Sequence, residues 1–258
     1  MQGASSYRGD CPVCGGKMSF SANRTVAGEL AWICFKASCK VRGRGDVIRS
    51  VNEILQSLVA VGDSTLAKWE SPDYFVSVGS RPNVHEYLAN NNLTHAYKTG
   101  MIDLVYDPRQ ERLVFLIKDE GTTYDAIGRL LVAGKPKWYR YGSSNMGCWF
   151  VNQDATDTVI ITEDIPSACV CAYNYNSLAL LGTELSDMDF TRIIRGYSKV
   201  IVALDPDAYS KGVAIAKRLK PYVQATPMLI PDDLKYFKPK DVKDMIDEYG
   251  VTTTTLRI

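Results

Sequence analysis

VIVALDPDAYSKG, residues Val200–Gly212, decides how the chain is to be read. Val200, Ile201 and Val202 form a short β-branched run, which predicts a buried strand with Asp205 and Asp207 emerging together at its carboxyl end. Two carboxylates so close repel one another. They call for a cation, a basic side chain or a solvated turn between them.

On both sides of this stretch the text alternates. TVIIT (158–162) reads as a strand, PSACVCAY (166–173) as a helix opened by Pro166, SLALLG (177–182) as a strand and DMDFTRIIRGY (187–197) as a helix. After VIVAL come a helix through Val213–Leu219 and a last strand in YVQATPMLI (222–230). Strand and helix in turn imply right-handed crossovers and a mainly parallel sheet covered on both faces. In such sheets chemistry collects at the carboxyl ends of the strands. Glu163 follows the first strand, Asp205 and Asp207 the third, and Asp241, in KPKDVKDM, the fourth. Oxygen ligands with no histidine nearby favour Mg2+ or Mn2+. Singly, each acid has a plainer explanation: Asp-Pro-Asp is a common turn, Glu163 and Asp164 can cap a helix, and Asp241 can be a cap or surface charge. Jointly, acids after several strands of one sheet are harder to explain by solvation.

A second cluster lies at the other end. Of seven cysteines, four are Cys11, Cys14, Cys34 and Cys39, spaced C-x2-C, nineteen residues, C-x4-C. A two-residue gap lets both thiolates of a turn face one ion, and two such pairs suit tetrahedral Zn2+ in a closed, structural site. Buried free thiols or disulfides are the alternative, which paired spacing without a leader argues against. KMSFSANR and ELAWICF between the pairs predict a zinc ribbon of two or three short strands. Arg24, Lys36, Lys40, Arg42 and Arg44 surround the ligands, with Phe20, Trp32 and Phe35 as stacking faces, so the cluster favours nucleic acid although any one aromatic can simply fill the ribbon core.

Charge is split in the same sense. Residues 1–50 carry eight Lys/Arg against three acids, and residues 151–258 twelve against fifteen. A basic front and an acidic rear suggest a polyanion for the first and a cation for the second. Between them, Val47–Leu58 has helical spacing, VAVGDSTLAKWESPD (59–73) reads as a tether, residues 84–95 as a helix, and RLVFLI, TYDAIGRLLV and KPKWYRYG as strands. Residues 109–140 hold seven Lys/Arg against four acids. Arg112, Lys118, Arg129, Lys135, Lys137 and Arg140, mixed with Trp138, Tyr139 and Tyr141, can hold phosphates and bases, or form a solvated sheet face. The expected division is 1–58, 59–72, 73–150 and 151–258. No apolar run of eighteen residues, leader or Gly-x4-Gly-Lys-Ser/Thr loop occurs, so the cytosol, no membrane and no attached helicase are the expectations.

TED (162–164), LDPDAYSKG and the cysteine knuckle together resemble the toprim fold, whose signature is a glutamate after the first strand and Asp-x-Asp after the third. Zinc ribbon followed by toprim is similar to the bacterial replicative primases, and most closely to the primase half of phage primase-helicases. That resemblance implies an α/β fold, with a zinc ribbon before a toprim-type catalytic domain, and a DNA primase making short RNA primers on single-stranded DNA from ribonucleoside triphosphates. It implies Glu163 as catalytic glutamate, Asp205 and Asp207 as the metal-binding pair, Asp241 as the later acid, and Lys211 with Gly212 as the residues expected after the pair. Arg129, Lys135 and Lys137 match where these primases handle template and nucleotide, and the ribbon, through Arg24, Trp32, Lys36, Lys40 and Arg42, is expected to read the template. One structural Zn2+, one or two catalytic Mg2+ or Mn2+, and a separate helicase and DNA polymerase complete the expectation, in a host cytoplasm if phage-encoded. The pattern departs in two places. Relatives usually have glycine after the glutamate and aspartate four residues beyond it, where this chain has Asp164 and Ser167, and the second cysteine gap is wider. A toprim nuclease and a non-catalytic zinc-ribbon adaptor are the competing classes.

Overall fold

The computed structural model describes residues 6–24, 30–39, 41–45, 68–152, 154–155 and 157–255. The expected helix Val47–Leu58, most of the expected tether and Lys40 lie outside the described residues. The chain divides into two compact units.

The first unit carries an antiparallel sheet in the order β1 (Ser6–Gly9), β2 (Phe20–Arg24), β3 (Leu30–Cys34), β4 (Arg42–Gly45). Four strands stand where two or three were expected. The additional ones, SYRG and RGRG, have little β pattern of their own and are held by pairing along the edges of β2 and β3. Phe20, fully buried, fills the small core. Gly43 is required because a Cβ there would lie 2.5 Å from the Trp32 ring.

The second unit contains two further sheets. One is an antiparallel meander, β5 (Val76–Ser77), β6 (Asp103–Asp107), β7 (Arg112–Asp119), β8 (Thr122–Leu130) and β9 (Trp138–Arg140). The β7–β8 turn is the two-residue Glu120-Gly121 loop, both residues with positive φ, the twist that suits a tight hairpin. Between β5 and β6 stand α1 (Pro82–Asn90) and α2 (Thr94–Lys98) instead of one helix over 84–95. The break is at Asn92, whose left-handed φ of 56° ends the run while Leu93 turns into the core.

The other sheet runs β10-β12-β11-β13-β14, from β10 (Cys148–Phe150), β11 (Thr158–Thr162), β12 (Asn176–Ala179), β13 (Lys199–Val202) and β14 (Gln224–Pro227). All neighbours are parallel except β10 and β12. The crossovers pass through α3 (Ile165–Ala172), α4 (Asp187–Gly196) and α5 (Tyr209–Leu219), and α6 (Pro239–Thr255) follows β14. Ile160, Ile201, Val170, Met228, Ile230, Leu234, Val242 and Ile246 form one core cluster. Burying each such side chain stabilises the fold by roughly 1.5–3 kcal/mol, which is why these strands are apolar throughout instead of alternating. From β11 the chain crosses to β12 on one side, and β13 returns on the other. The gap between the ends of β11 and β13 is therefore a topological switch point, where α/β sheets bind ligands.

Edge strand β10 was not foreseen. It can approach β12 only because residue 147 is glycine, since a Cβ there would lie 2.4 Å from the Ala179 carbonyl oxygen. Buried Asp189 accepts from Gly147 N at 2.9 Å, Trp149 Nε1 at 2.7 Å and Ser186 Oγ at 2.6 Å, and Tyr124 donates to the Gly147 carbonyl at 2.9 Å, tying the meander to this edge. Among the described residues no helix is long and apolar enough to cross a membrane.

Candidate functional site

In the first unit Cys11 and Cys14 lie on one tight turn, closed by Cys11 N to Gly16 O and Gly15 N to Cys11 O, both 2.9 Å. Cys34 ends β3, and the wider second gap closes through Cys39 N to Lys36 O at 2.8 Å. The sulfurs of Cys11 and Cys39 are 3.9 Å apart, those of Cys14 and Cys34 3.7 Å, and all four ligand atoms lie within 4.8 Å of one another. A tetrahedron with Zn–S of about 2.3 Å has an edge of about 3.8 Å, so the four cysteines fit a zinc site. Burial pushes the Cys11 thiol up to about 12. At Cys34 burial acts the same way, but Ser19 Oγ, 3.4 Å from the sulfur, and a backbone hydrogen bond from Lys36 outweigh it and bring the thiol down to about 7. Of the residues expected to read nucleic acid, Lys36 and Arg42 are exposed and Trp32 is half-buried. Arg24 lies on β2.

In the second unit Glu163, Asp205 and Asp207 follow the two strands that flank the switch point. Glu163 follows β11, with its carbonyl held by Leu181 N at 2.9 Å. Asp205 comes three residues after β13 and Asp207 lies in a 3-10 turn, Pro206–Ala208. Burial, then Asp207 and Asp164, raise the Glu163 carboxyl, with Lys211 opposing. Burial, then Asp164 and Asp233, push Asp205 up to about 7 against Lys235. These mutual effects are those of like charges converging on one mouth. Lys211 is exposed and donates to Thr183 Oγ1 at 2.8 Å. Asp241 stands exposed in the first turn of α6. Among the described residues, only the cysteines bring three or more ligand atoms within 4.8 Å of one another.

Asp164 has its oxygens engaged. Oδ1 caps α3 by accepting from Ser167 N at 2.9 Å, and Oδ2 accepts from Lys235 Nζ at 2.8 Å. Lys235 also pairs with Asp233 at 2.6 Å and is only 9% exposed. Burial works against its ammonium, yet Asp164 and then Asp233 raise it above the ordinary lysine range. Asp233 and Lys235 were missed from sequence. The signal was PDDLKYF (231–237), acids followed by a lysine just after the fourth strand.

The expected basic residues divide into two groups. Arg112, 4% exposed, donates to the carbonyls of Gly128 at 3.2 Å, Pro136 at 2.9 Å and Lys137 at 3.3 Å. Lys118 pairs with Asp103 at 2.9 Å, and Arg140 binds Asp125 and the Met146 carbonyl, both at 2.7 Å. These three are engaged inside the meander. Lys135 and Lys137 are exposed on the loop between β8 and β9. Arg129 lies over Trp138 at 5.3 Å and Tyr87 at 5.8 Å, with its Nε buried and without a hydrogen-bond partner. Burial raises Tyr87, with Arg129 and Lys235 opposing and Asp164 adding to it.

No protein-family model and no curated protein matches the chain. Solved structures do. The Escherichia coli primase catalytic core superposes with a TM-score of 0.51 at 15% identity, over 65% of this chain and 74% of that one. The zinc-binding and RNA polymerase domains of the Aquifex aeolicus primase give 0.45 at 18%, over 96% of this chain and 80% of that one. The primase fragment of the bacteriophage T7 primase-helicase gives 0.42 at 14%, over 94% and 98%. At such identities the likeness is one of fold: over about two thirds of its length the chain has the α/β fold of the E. coli primase core.

Proposed function

We propose that this chain is a DNA primase, a nucleotidyltransferase that joins ribonucleoside triphosphates into short RNA primers on single-stranded DNA. The observation that supports it is that Glu163 follows β11 and Asp205 and Asp207 follow its neighbour β13, beside the switch point of the parallel sheet. In this reading 151–258 is the toprim catalytic part, 73–150 its basic companion, 59–72 a tether and 1–58 the zinc ribbon that reads the template through Arg24, Trp32, Lys36, Lys40 and Arg42.

The donor set fits one or two Mg2+ or Mn2+ ions: oxygen only, with Glu163 and Asp205 raised by burial and acidic neighbours, and no histidine among them. Glu163, Asp205 and Asp207 would hold the ion, with Asp241 as a further ligand, and the ion would stabilise charge on the attacking 3′-oxygen and the leaving pyrophosphate. Lys211, at the start of α5, faces the same mouth and offsets the charge of Glu163. Lys135, Lys137 and Arg129 are the groups free to meet a triphosphate or template phosphate. Arg112 shapes their loop from beneath by binding the Pro136 and Lys137 carbonyls. A helicase and a DNA polymerase are the partners this activity calls for.

Incorporation of labelled ribonucleotides on oligonucleotides spanning every template trinucleotide, with Mg2+ or Mn2+, tests the proposal. Short products confined to particular trinucleotides support it. Template degradation without triphosphates would point instead to a nuclease built on the same acids.

A further inference from the structure

Lys235 is placed unlike an ordinary surface lysine. Its backbone sits in a 3-10 turn, Leu234–Tyr236, anchored on one side by fully buried Leu234. On the other side Asn92 Nδ2 donates to the Lys235 carbonyl at 2.7 Å and the Phe237 carbonyl at 3.3 Å. The left-handed backbone at Asn92 thus marks a position with a task, clamping this turn. The ammonium then reaches two carboxylates from different elements, Asp164 at 2.8 Å and Asp233 at 2.6 Å. Burying an ammonium is unfavourable unless its partners are close and well placed, and here both are.

Two of the five acids around the mouth are therefore neutralised by a group the chain itself supplies. Asp164 cannot turn toward an ion without releasing both the first turn of α3 and Lys235. The acids left without such an ammonium partner in this cluster are Glu163, Asp205 and Asp207. We propose that Lys235 is a resident counter-cation of the carboxylate mouth: it withdraws Asp164 and Asp233 from metal binding and leaves Glu163, Asp205 and Asp207 to the divalent ion. This rests on the metal-dependent reading above. Lys235 is a positioning residue, acting on the ion only through the charge and placement of its two partners.

Removing its charge while keeping its length raises the net negative charge of the mouth by one and frees two carboxylates. Both effects strengthen binding of a divalent ion. The experiment is Mn2+ titration of the zinc-loaded full chain, with free Mn2+ read by electron paramagnetic resonance, for wild type, Lys235→Gln and Lys235→Arg. The expected result is that K235Q binds Mn2+ at least about tenfold tighter, or binds an additional ion, while K235R stays near wild type. Should K235Q fold poorly in metal-free buffer, Mn2+ and not NaCl should restore its circular dichroism; failure of Mn2+ to do so contradicts the proposal. Equal or weaker Mn2+ binding by K235Q overturns it while the wild-type site stands. Absence of Mn2+ binding in all three chains would instead remove the metal-dependent reading and this inference with it.

Discussion

Ile161 on β11 stands in register with Val202 on β13, so the two chains leave the sheet side by side and carry Glu163 and Asp205 into the same gap. The pairing continues past the strands, with Ala203 N donating to the Ile161 carbonyl at 2.8 Å. The placement of Glu163 and Asp205 is thus set by backbone pairing between two largely buried strands, before any ligand is considered.

Carboxylates held together for function lower stability when nothing neutralises them. Glu163 is raised by burial, Asp207 and Asp164, so Glu163→Gln should raise the melting temperature of chelator-treated protein by a few degrees while greatly lowering primer synthesis. Parallel melts and synthesis assays check it. A fall in both would mean Glu163 serves the fold.

Asp205 gives a pH dependence. Its folded value of about 7 lies above the ordinary ~3.9, so the ionised group opposes folding: the full penalty is present above pH 7 and is relieved as pH falls toward 4. Metal-free wild type should therefore gain stability relative to Asp205→Asn between pH 8 and pH 5, and Mg2+, taking the proton's place, should raise the melting temperature more at pH 8 than at pH 6. Melts of both chains across that range decide. A wild-type-minus-D205N difference that does not change with pH contradicts the assignment.

The ribbon sheet and the other two sheets belong to separate compact units, and an ion held by the four cysteines would contribute folding energy to the first. Chelation, or Cys34→Ser, should release one zinc per chain and abolish a low-temperature melting step while the transition of the second unit persists. Zinc release and calorimetry read this directly. Loss of both transitions together would show the zinc centre supporting the whole chain.

Arg112 donates to the carbonyls of Gly128, Pro136 and Lys137, the last of which also accepts from Leu130 N. Arg112→Ala should destabilise the second unit by about 1–3 kcal/mol, chiefly the cost of leaving the buried Gly128 carbonyl without this donor, and raise KM for ribonucleotides more than it lowers kcat. Denaturant melts and steady-state kinetics separate the two. An unchanged KM would show the basic loop to be uninvolved in nucleotide binding.

How far the sequence carried can be seen in particular residues. TVIIT, VIVAL and the helices between them were legible because a buried parallel strand must be apolar along its length and the crossover helix must carry one apolar face. The cysteine centre was legible because ligand spacing is local. SYRG, RGRG and CWF were not read as strands, since each is held at a sheet edge by partners far away in sequence, and Gly147 has meaning only once the Ala179 carbonyl is known to lie against it. Charge counts flagged the meander's basic stretch, yet no count distinguishes Arg112, buried under its loop, from Lys135 and Lys137 at its surface. PDDLKYF placed a lysine beside acids but could not show that Lys235 is buried against Asp164, 71 residues away.

Primer synthesis by wild type and by Asp205→Asn across a Mg2+ titration tests the central claim most directly. Wild type should make short RNA on single-stranded DNA in proportion to bound metal, and D205N, correctly folded, should fall at least about a hundredfold at every Mg2+ concentration. Synthesis by D205N at the wild-type rate would contradict the claim that the acids at the ends of β11 and β13 are the seat of the chemistry.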